Sequence, residues 1–324
     1  MNSSNTTHPR WGGIWEGLKT KNFRNRSKST LERIYLESLA QEASINALGI
    51  LPSLKKEVAD QILETTGRIA HILQLPPIMN YEAIILMNPL HTNPILLSST
   101  DDDRKQELFF YEMHRDIEHL LFPIIQTLLQ LMKEKAEEES QNSIIKTLTV
   151  VDENLSKVIQ KMSFLYRNLN KESFSHFRKF FTRIQFRNLD GEPYPGPSGA
   201  SSAAFPTLDI LFGIEQTWAL SPIADEVRPK IAWRWYTTIL EMNTAKDLVA
   251  LHGNLFQKYD WLTWVDTALK KCVDSIKKFR INHKAQVEKF VPEALQWETT
   301  WTGWATNVTH YLDTMIENTK RRIA

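Results

Sequence analysis

The chain has one cysteine, Cys272, in 324 residues. Disulfide frameworks and cysteine-based zinc sites each need several sulfurs, so both are excluded. Glycine is scarce as well, at 11 residues. Sandwiches and barrels spend glycines on many tight turns, so this scarcity argues against an all-β fold. No run of 18 apolar residues occurs, and no segment reads as a membrane span. An excess of one charge sign is also missing. Lys+Arg 39 against Asp+Glu 38 leaves a net charge of +1, too little to draw in nucleic acid or an anionic surface. What is present is ordinary for a globular protein: 42% hydrophobic and 24% charged residues, enough for a sizeable core.

Residues 1–28 are polar, with six basic side chains against Glu16 alone and no continuous apolar stretch. They read as a disordered basic arm, with no export signal, and the cytoplasm is the expected compartment. Beyond them the periodicity is helical almost throughout. Leu31, Ile34, Tyr35, Leu39 and Ile45 predict a helix from Thr30 to Ala47, stopped by Gly49. Val58, Ile62, Leu63, Ile69 and Leu73 predict a second, opened by Pro52 and closed at Pro76-Pro77. Residues 78–100 read as a connection. Ser98-Ser99-Thr100-Asp101 is an N-cap pattern for a helix over 102–136, in which Pro123 predicts a kink or short break. A further helix is expected over 143–169. The pattern predicts an all-α chain, with an N-terminal helical lobe over 29–100 and a larger helical domain over 101–324.

One stretch departs from helix. Residues 189–202, LDGEPYPGPSGASS, hold three of the 11 glycines and three of the 14 prolines. A helix-poor segment of that length inside a helical chain reads as a functional loop. Gly196, Gly199 and Ala200 would let the backbone approach a flat ligand, but the segment lacks the lysine and hydroxyl ending of a P-loop.

The histidines divide sharply. His114 and His119 are five apart and do not share a helix face as a metal pair would, and no His-Glu-x-x-His occurs. His283 stands out. It falls within the stripe Trp261, Val265, Leu269, Cys272, Ile276, Phe279, His283, Val287, Phe290, whose steps of three and four place it on one buried face. It is either a hydrogen-bonded core histidine or a metal or haem ligand. Lys277, Lys278 and Arg280 read as the solvated face of the same helix. Arg178, within Phe174-Ser175-His176-Phe177-Arg178-Lys179-Phe180-Phe181, is either a snorkelling side chain or a guanidinium aimed at a substrate carboxylate. The eight tryptophans after residue 217, Trp264 among them, sit mostly at helical spacing and read as core rather than as a stacking surface.

Several stretches resemble, in order, the haem-dependent aromatic oxygenase superfamily of indoleamine 2,3-dioxygenase, tryptophan 2,3-dioxygenase and monodechloroaminopyrrolnitrin synthase. They are ALGILPSLKKEVADQILETTGRIAHILQLPP, Asn88-Pro89 after EAIILM, FSHFRKFF, EPYPGPSGASSAAFPTLDILFG and FRINHKAQVEKF. The last-named member looks nearest. The resemblance implies a helical bundle enclosing a noncovalent haem b, with His283 as its iron ligand and Ser198 and Gly199 against the haem. It places Arg178 at the carboxylate of an aromatic amino acid or indole substrate and Phe174 near its ring. Thr302 and Gly303, within Thr300-Trp301-Thr302-Gly303-Trp304, match a loop closing over the substrate. Leu108 stands where indoleamine 2,3-dioxygenase has a distal serine, and no counterpart of the distal histidine of tryptophan 2,3-dioxygenase is evident. The activity implied is oxygenation with O2 in secondary metabolism, without nucleic-acid or membrane partners; a homodimer is the assembly considered. A non-catalytic haem carrier or sensor, and a helical scaffold without haem, are the alternatives.

Overall fold

The computed structural model describes residues 27–47, 56–73, 79–134, 141–181, 184–189, 192–194, 197, 199, 202–215, 237–260, 262–292 and 308–324. Ten α-helices are found there: α1 Lys28–Ala47, α2 Lys56–Leu73, α3 Asp101–Lys133, α4 Gln141–Asn168, α5 Lys171–Arg178, α6 Ala204–Phe212, α7 Thr237–His252, α8 Leu255–Lys258, α9 Thr263–Phe290 and α10 Val308–Ile323. The all-α expectation holds, apart from one small hairpin. Its strands β1 (Ile184–Leu189) and β2 (Glu192–Tyr194) pair antiparallel, so part of the predicted glycine-proline loop is extended ladder rather than free connection. No helix among the described residues is long and apolar enough to cross a membrane.

The core is built on α3, α4 and α9. On α4 the buried residues Ile144, Leu148, Val151, Leu155, Val158, Met162 and Leu165 recur in alternating steps of four and three, a single stripe along the helix. Helix α9 runs parallel beside it, as the cross-links show. Cys272 Sγ donates to the Leu148 carbonyl (3.4 Å), Ser275 Oγ to Asp152 (2.6 Å) and Gln286 Nε2 to the Met162 carbonyl (2.7 Å). Burial pushes the Cys272 thiol well up, so it packs as a small apolar group. Helix α3 lies antiparallel to α4, tied by Lys161 to Asp116 (2.6 Å) near one end and by Gln106 to the Asn170 amide (2.8 Å) near the other.

The ends of α3 are closed as the sequence suggests. Thr100 caps the first turn by accepting from the Asp103 amide (3.2 Å), and Asp101, Asp102 and Asp103 face the positive end of the helix dipole. At the other end the Lys258 ammonium donates to the carbonyls of Leu131, Met132 and Glu134 (2.7, 2.8 and 2.6 Å), groups a helix C-terminus leaves without intrahelical donors. Of the kink or short break expected at Pro123, no break occurs; α3 is helical through it. Pro123 and His119 lie on the exposed face, where water can satisfy the His119 carbonyl, while Ile124, Ile125, Leu128 and Leu129 are buried and hold the helix together.

Residues 79–100, within the span expected to be a connection, are more ordered than that. Glu82–Met87 form a π-helical turn. Arg115 of α3 donates to the carbonyls of Ile85 (2.7 Å), Leu86 (3.2 Å) and Asn88 at its end. Asn88 then exchanges two hydrogen bonds with the Ile95 backbone, and Glu107 accepts from the Leu97 and Ser98 amides and from Tyr111 (2.7, 2.8 and 2.6 Å). Polar side chains of α3 thus set the path of this segment, and with it the position of Tyr81 at its start.

Two surface expectations fail. Arg280 is not on a solvated face. It is 3% exposed and grips Asp209 of α6 with Nη2 at 2.5 and 2.7 Å from the two carboxylate oxygens. Helix α6 can present Asp209 there because Gly213 (φ 65°) ends the helix in the left-handed region. Trp264, expected in the core, is 73% exposed at the start of α9. Trp233, Trp235 and Trp261 lie outside the described residues.

Candidate functional site

On α9 the stripe divides into two parts. Val265, Leu269, Cys272, Ile276 and Phe290 are buried as expected, but Phe279, His283 and Val287 keep partial exposure. Phe205, just inside α6, stacks on Phe279 at 4.0 Å and 21°, and Phe279 lies over His283 at 6.2 Å, also at 21°. Phe279 thus lies between Phe205 and His283 in one stack. His283 is deep in the protein all the same, and burial lowers its pKa to about 4. The His283 side chain is thus both deeply placed and partly accessible.

His114 of α3 meets the same description and lies within electrostatic range of His283. Its ring packs at a tilt against Phe110 (4.0 Å, 43°) and meets the edge of Tyr81 (6.3 Å, 74°). Its Nδ1 is 2.8 Å from the Phe110 carbonyl oxygen. A carbonyl only accepts, so Nδ1 carries the hydrogen and Nε2 keeps its lone pair. Burial, countered by that bond and reinforced by His283, lowers the His114 pKa to about 4. Both imidazoles are therefore neutral at pH 7. One turn further on α3, Glu118 accepts from the Tyr81 hydroxyl (3.1 Å) and from Ser202 at the end of the glycine-proline loop.

The linked titration has a sign. In the unfolded chain both imidazoles protonate near pH 6.5; in the folded chain they stay neutral until about pH 4. Their contribution to stability is complete above pH 6.5 and is lost as pH falls toward 4, at up to about 1.4 kcal/mol per pH unit for each histidine. The urea midpoint of haem-free protein is expected to drop between pH 7 and 5, less steeply in His114→Gln. Equal slopes in the two proteins would show that His114 is not held neutral.

The other expected site residues fare unevenly. Arg178 ends α5 and is 7% exposed, so it does not snorkel; its guanidinium is inside the protein. Phe174, also on α5, is buried among Phe110 (5.5 Å), Phe177 (5.3 Å) and Phe290 (5.6 Å), one ring removed from His114. Gly199 is exposed, and no protein atom would meet a Cβ there within 4 Å. Leu108 packs against the core. Ser198, Thr302 and Gly303 lie outside the described residues. His114 had been set aside for its spacing to His119, and no distal histidine was expected from the resemblance; it is nevertheless His114 that comes near His283. The usable signal was within α3 itself, where Glu107, Tyr111, His114 and Glu118 put polar groups at steps of four, three and four along an otherwise apolar face.

A haem fits these residues. Porphyrin supplies four ligands of its own, so one neutral imidazole suffices to hold the iron, and His283 is neutral and partly accessible beside Phe279. Among the described residues no group of three His, Cys, Asp or Glu side chains is placed to hold a bare metal ion.

Comparison with known proteins agrees. Residues 29–307 match the family described as indoleamine 2,3-dioxygenase, and this span includes the π turn, α3, α5 and α9. No curated protein matches the chain. A helical fold, a deep neutral histidine on a long helix and a match over most of the sequence lead to one conclusion: the chain belongs to the indoleamine 2,3-dioxygenase family of haem-dependent dioxygenases acting on indole-type substrates.

Proposed function

We propose that this protein is a haem b oxygenase that uses O2 to oxidise an aromatic amino acid of the indole type, with a place in secondary metabolism. His283 is its axial ligand, and Arg178 receives the substrate carboxylate. The observation that carries this reading is the neutral, partly accessible His283, stacked on Phe279 and within range of His114. Haem, when bound, supplies the activation of O2. The chain supplies the surroundings.

The stacked Phe205 and Phe279 rings give His283 an apolar flank. His114 offers an acceptor, Nε2, to which an indole N–H can donate. Arg178 is held inside the protein, where a guanidinium binds a carboxylate through two parallel hydrogen bonds far more strongly than it would in water. The Ser198–Gly199 and Thr302–Gly303 segments are assigned to haem contact and substrate closure on the strength of the resemblance. Leu108 offers no hydroxyl, which favours an outcome other than simple tryptophan cleavage.

The test is substrate kinetics in Arg178 variants. Arg178→Ala is expected to raise KM for the amino acid roughly 10- to 100-fold, the range for losing a charge-assisted pair. Indole, which has no carboxylate, should be affected less than threefold. An equal loss for both would remove Arg178 from carboxylate recognition.

A further inference from the structure

Glu118 stands apart from the haem and carboxylate assignments. It is an acid deep in the protein, on the same face of α3 as His114, and it retains accessible surface. Three separate segments converge on it: α3 itself, the π turn through Tyr81 (3.1 Å), and the glycine-proline loop through Ser202. The nearest cation in sequence is committed elsewhere, because the Arg115 guanidinium donates to the carbonyls of Ile85, Leu86 and Asn88. His119 points outward, and His114 is neutral. Among the described residues the partners of Glu118 are two hydroxyls, with no ion pair.

Burial raises the Glu118 carboxyl above its ordinary range, and the Ser202 and Tyr81 hydroxyls counter it by favouring the ionised form. A partly accessible carboxyl with no countercharge is held in its ionised form by a ligand that brings one. We propose that Glu118, held by Tyr81 and Ser202, receives the positively charged amino group of the ligand, and so selects aromatic amines and amino acids over the corresponding deaminated acids. This rests on the reading of an aromatic amino-acid site here and adds the group that recognises the amine. Ser202 gives the carboxyl a second task, since it draws the end of the glycine-proline loop onto α3.

The experiment uses haem-reconstituted protein and three probes: tryptophan, tryptamine (amine without carboxylate) and indole-3-propionate (carboxylate without amine). Binding is read by calorimetry and by perturbation of the Soret band. In wild type, tryptamine and tryptophan should bind at least tenfold more tightly in the presence of the ionised acid than in Glu118→Gln. Indole-3-propionate should change less than threefold between the two proteins. Glu118→Asp keeps the charge but withdraws it by one methylene, and should lose threefold or more for tryptamine; it serves if the glutamine variant does not fold. Tryptamine affinity that is unchanged in both variants overturns the assignment. If wild type binds none of the indoles, the indole reading fails, and phenethylamine against 3-phenylpropionate then decides the role of Glu118. No preference for the amine in that pair overturns the proposal as well.

Discussion

Haem-reconstituted His283→Ala protein is expected to show no Soret band above that of free haemin, while wild type shows a shifted, saturable one. The expectation follows from His283, a neutral and partly accessible imidazole beside Phe279 on the long helix α9. A cofactor that binds only the folded state stabilises it by RT ln(1 + [L]/Kd), about 2.7 kcal/mol at a hundredfold excess over Kd. That increment should appear as a raised urea midpoint in wild type and be absent in His283→Ala. Imidazole added to His283→Gly should restore part of the band, since the lost group is a single neutral ring. A band that survives in His283→Ala and disappears in His114→Ala would exchange the roles of the two histidines, both of which are neutral at pH 7.

The second large effect lies just behind the site. Asp209→Ala is expected to destabilise the protein by about 3–5 kcal/mol, a sizeable part of the 5–15 kcal/mol that holds a typical domain folded. The Arg280 and Asp209 side chains are 3% and 2% exposed, so removing the carboxylate leaves a guanidinium buried without its countercharge. Arg280 also donates to the Met315 carbonyl (3.1 Å) and to the Thr319 hydroxyl, so one side chain joins α6, α9 and α10. It sits three residues before His283 on α9, and haem affinity should fall together with stability. Replacing both partners by apolar residues, as in Asp209→Leu with Arg280→Met, should cost much less than either single change. Urea unfolding of the three variants decides the matter; a single-variant loss below about 1 kcal/mol would show that the pair is not desolvated as its burial indicates.

The helical periods were legible in the sequence because burial imposes them: α4 and most of α9 bury the residues that the three-and-four spacing selects. The Thr100 cap was legible for a similarly local reason, a run of capping residues just before the helix. Other features were not, because their causes lie on distant segments. Pro123 looked like a break, but the packing beneath α3 outweighs one lost hydrogen bond on its wet face. Arg280 looked solvated, since nothing in its own helix points to Asp209 seventy-one residues away. The π turn depends on Arg115, and the segment after it on Glu107, both reaching over from α3.

The scarcity of glycine and the helical periods therefore pointed to the class, an all-α chain, and the single cysteine ruled out a disulfide within it. Those are properties of composition and period, and each residue contributes to them independently of the fold. The site belongs to the tertiary structure. His114 and Glu118 are ordinary polar residues of a long helix until α9, the π turn and the glycine-proline loop are brought against it. Only then does His114 come within electrostatic range of His283, with burial lowering the pKa of both to about 4, and only then does Glu118 accept from Tyr81 and Ser202.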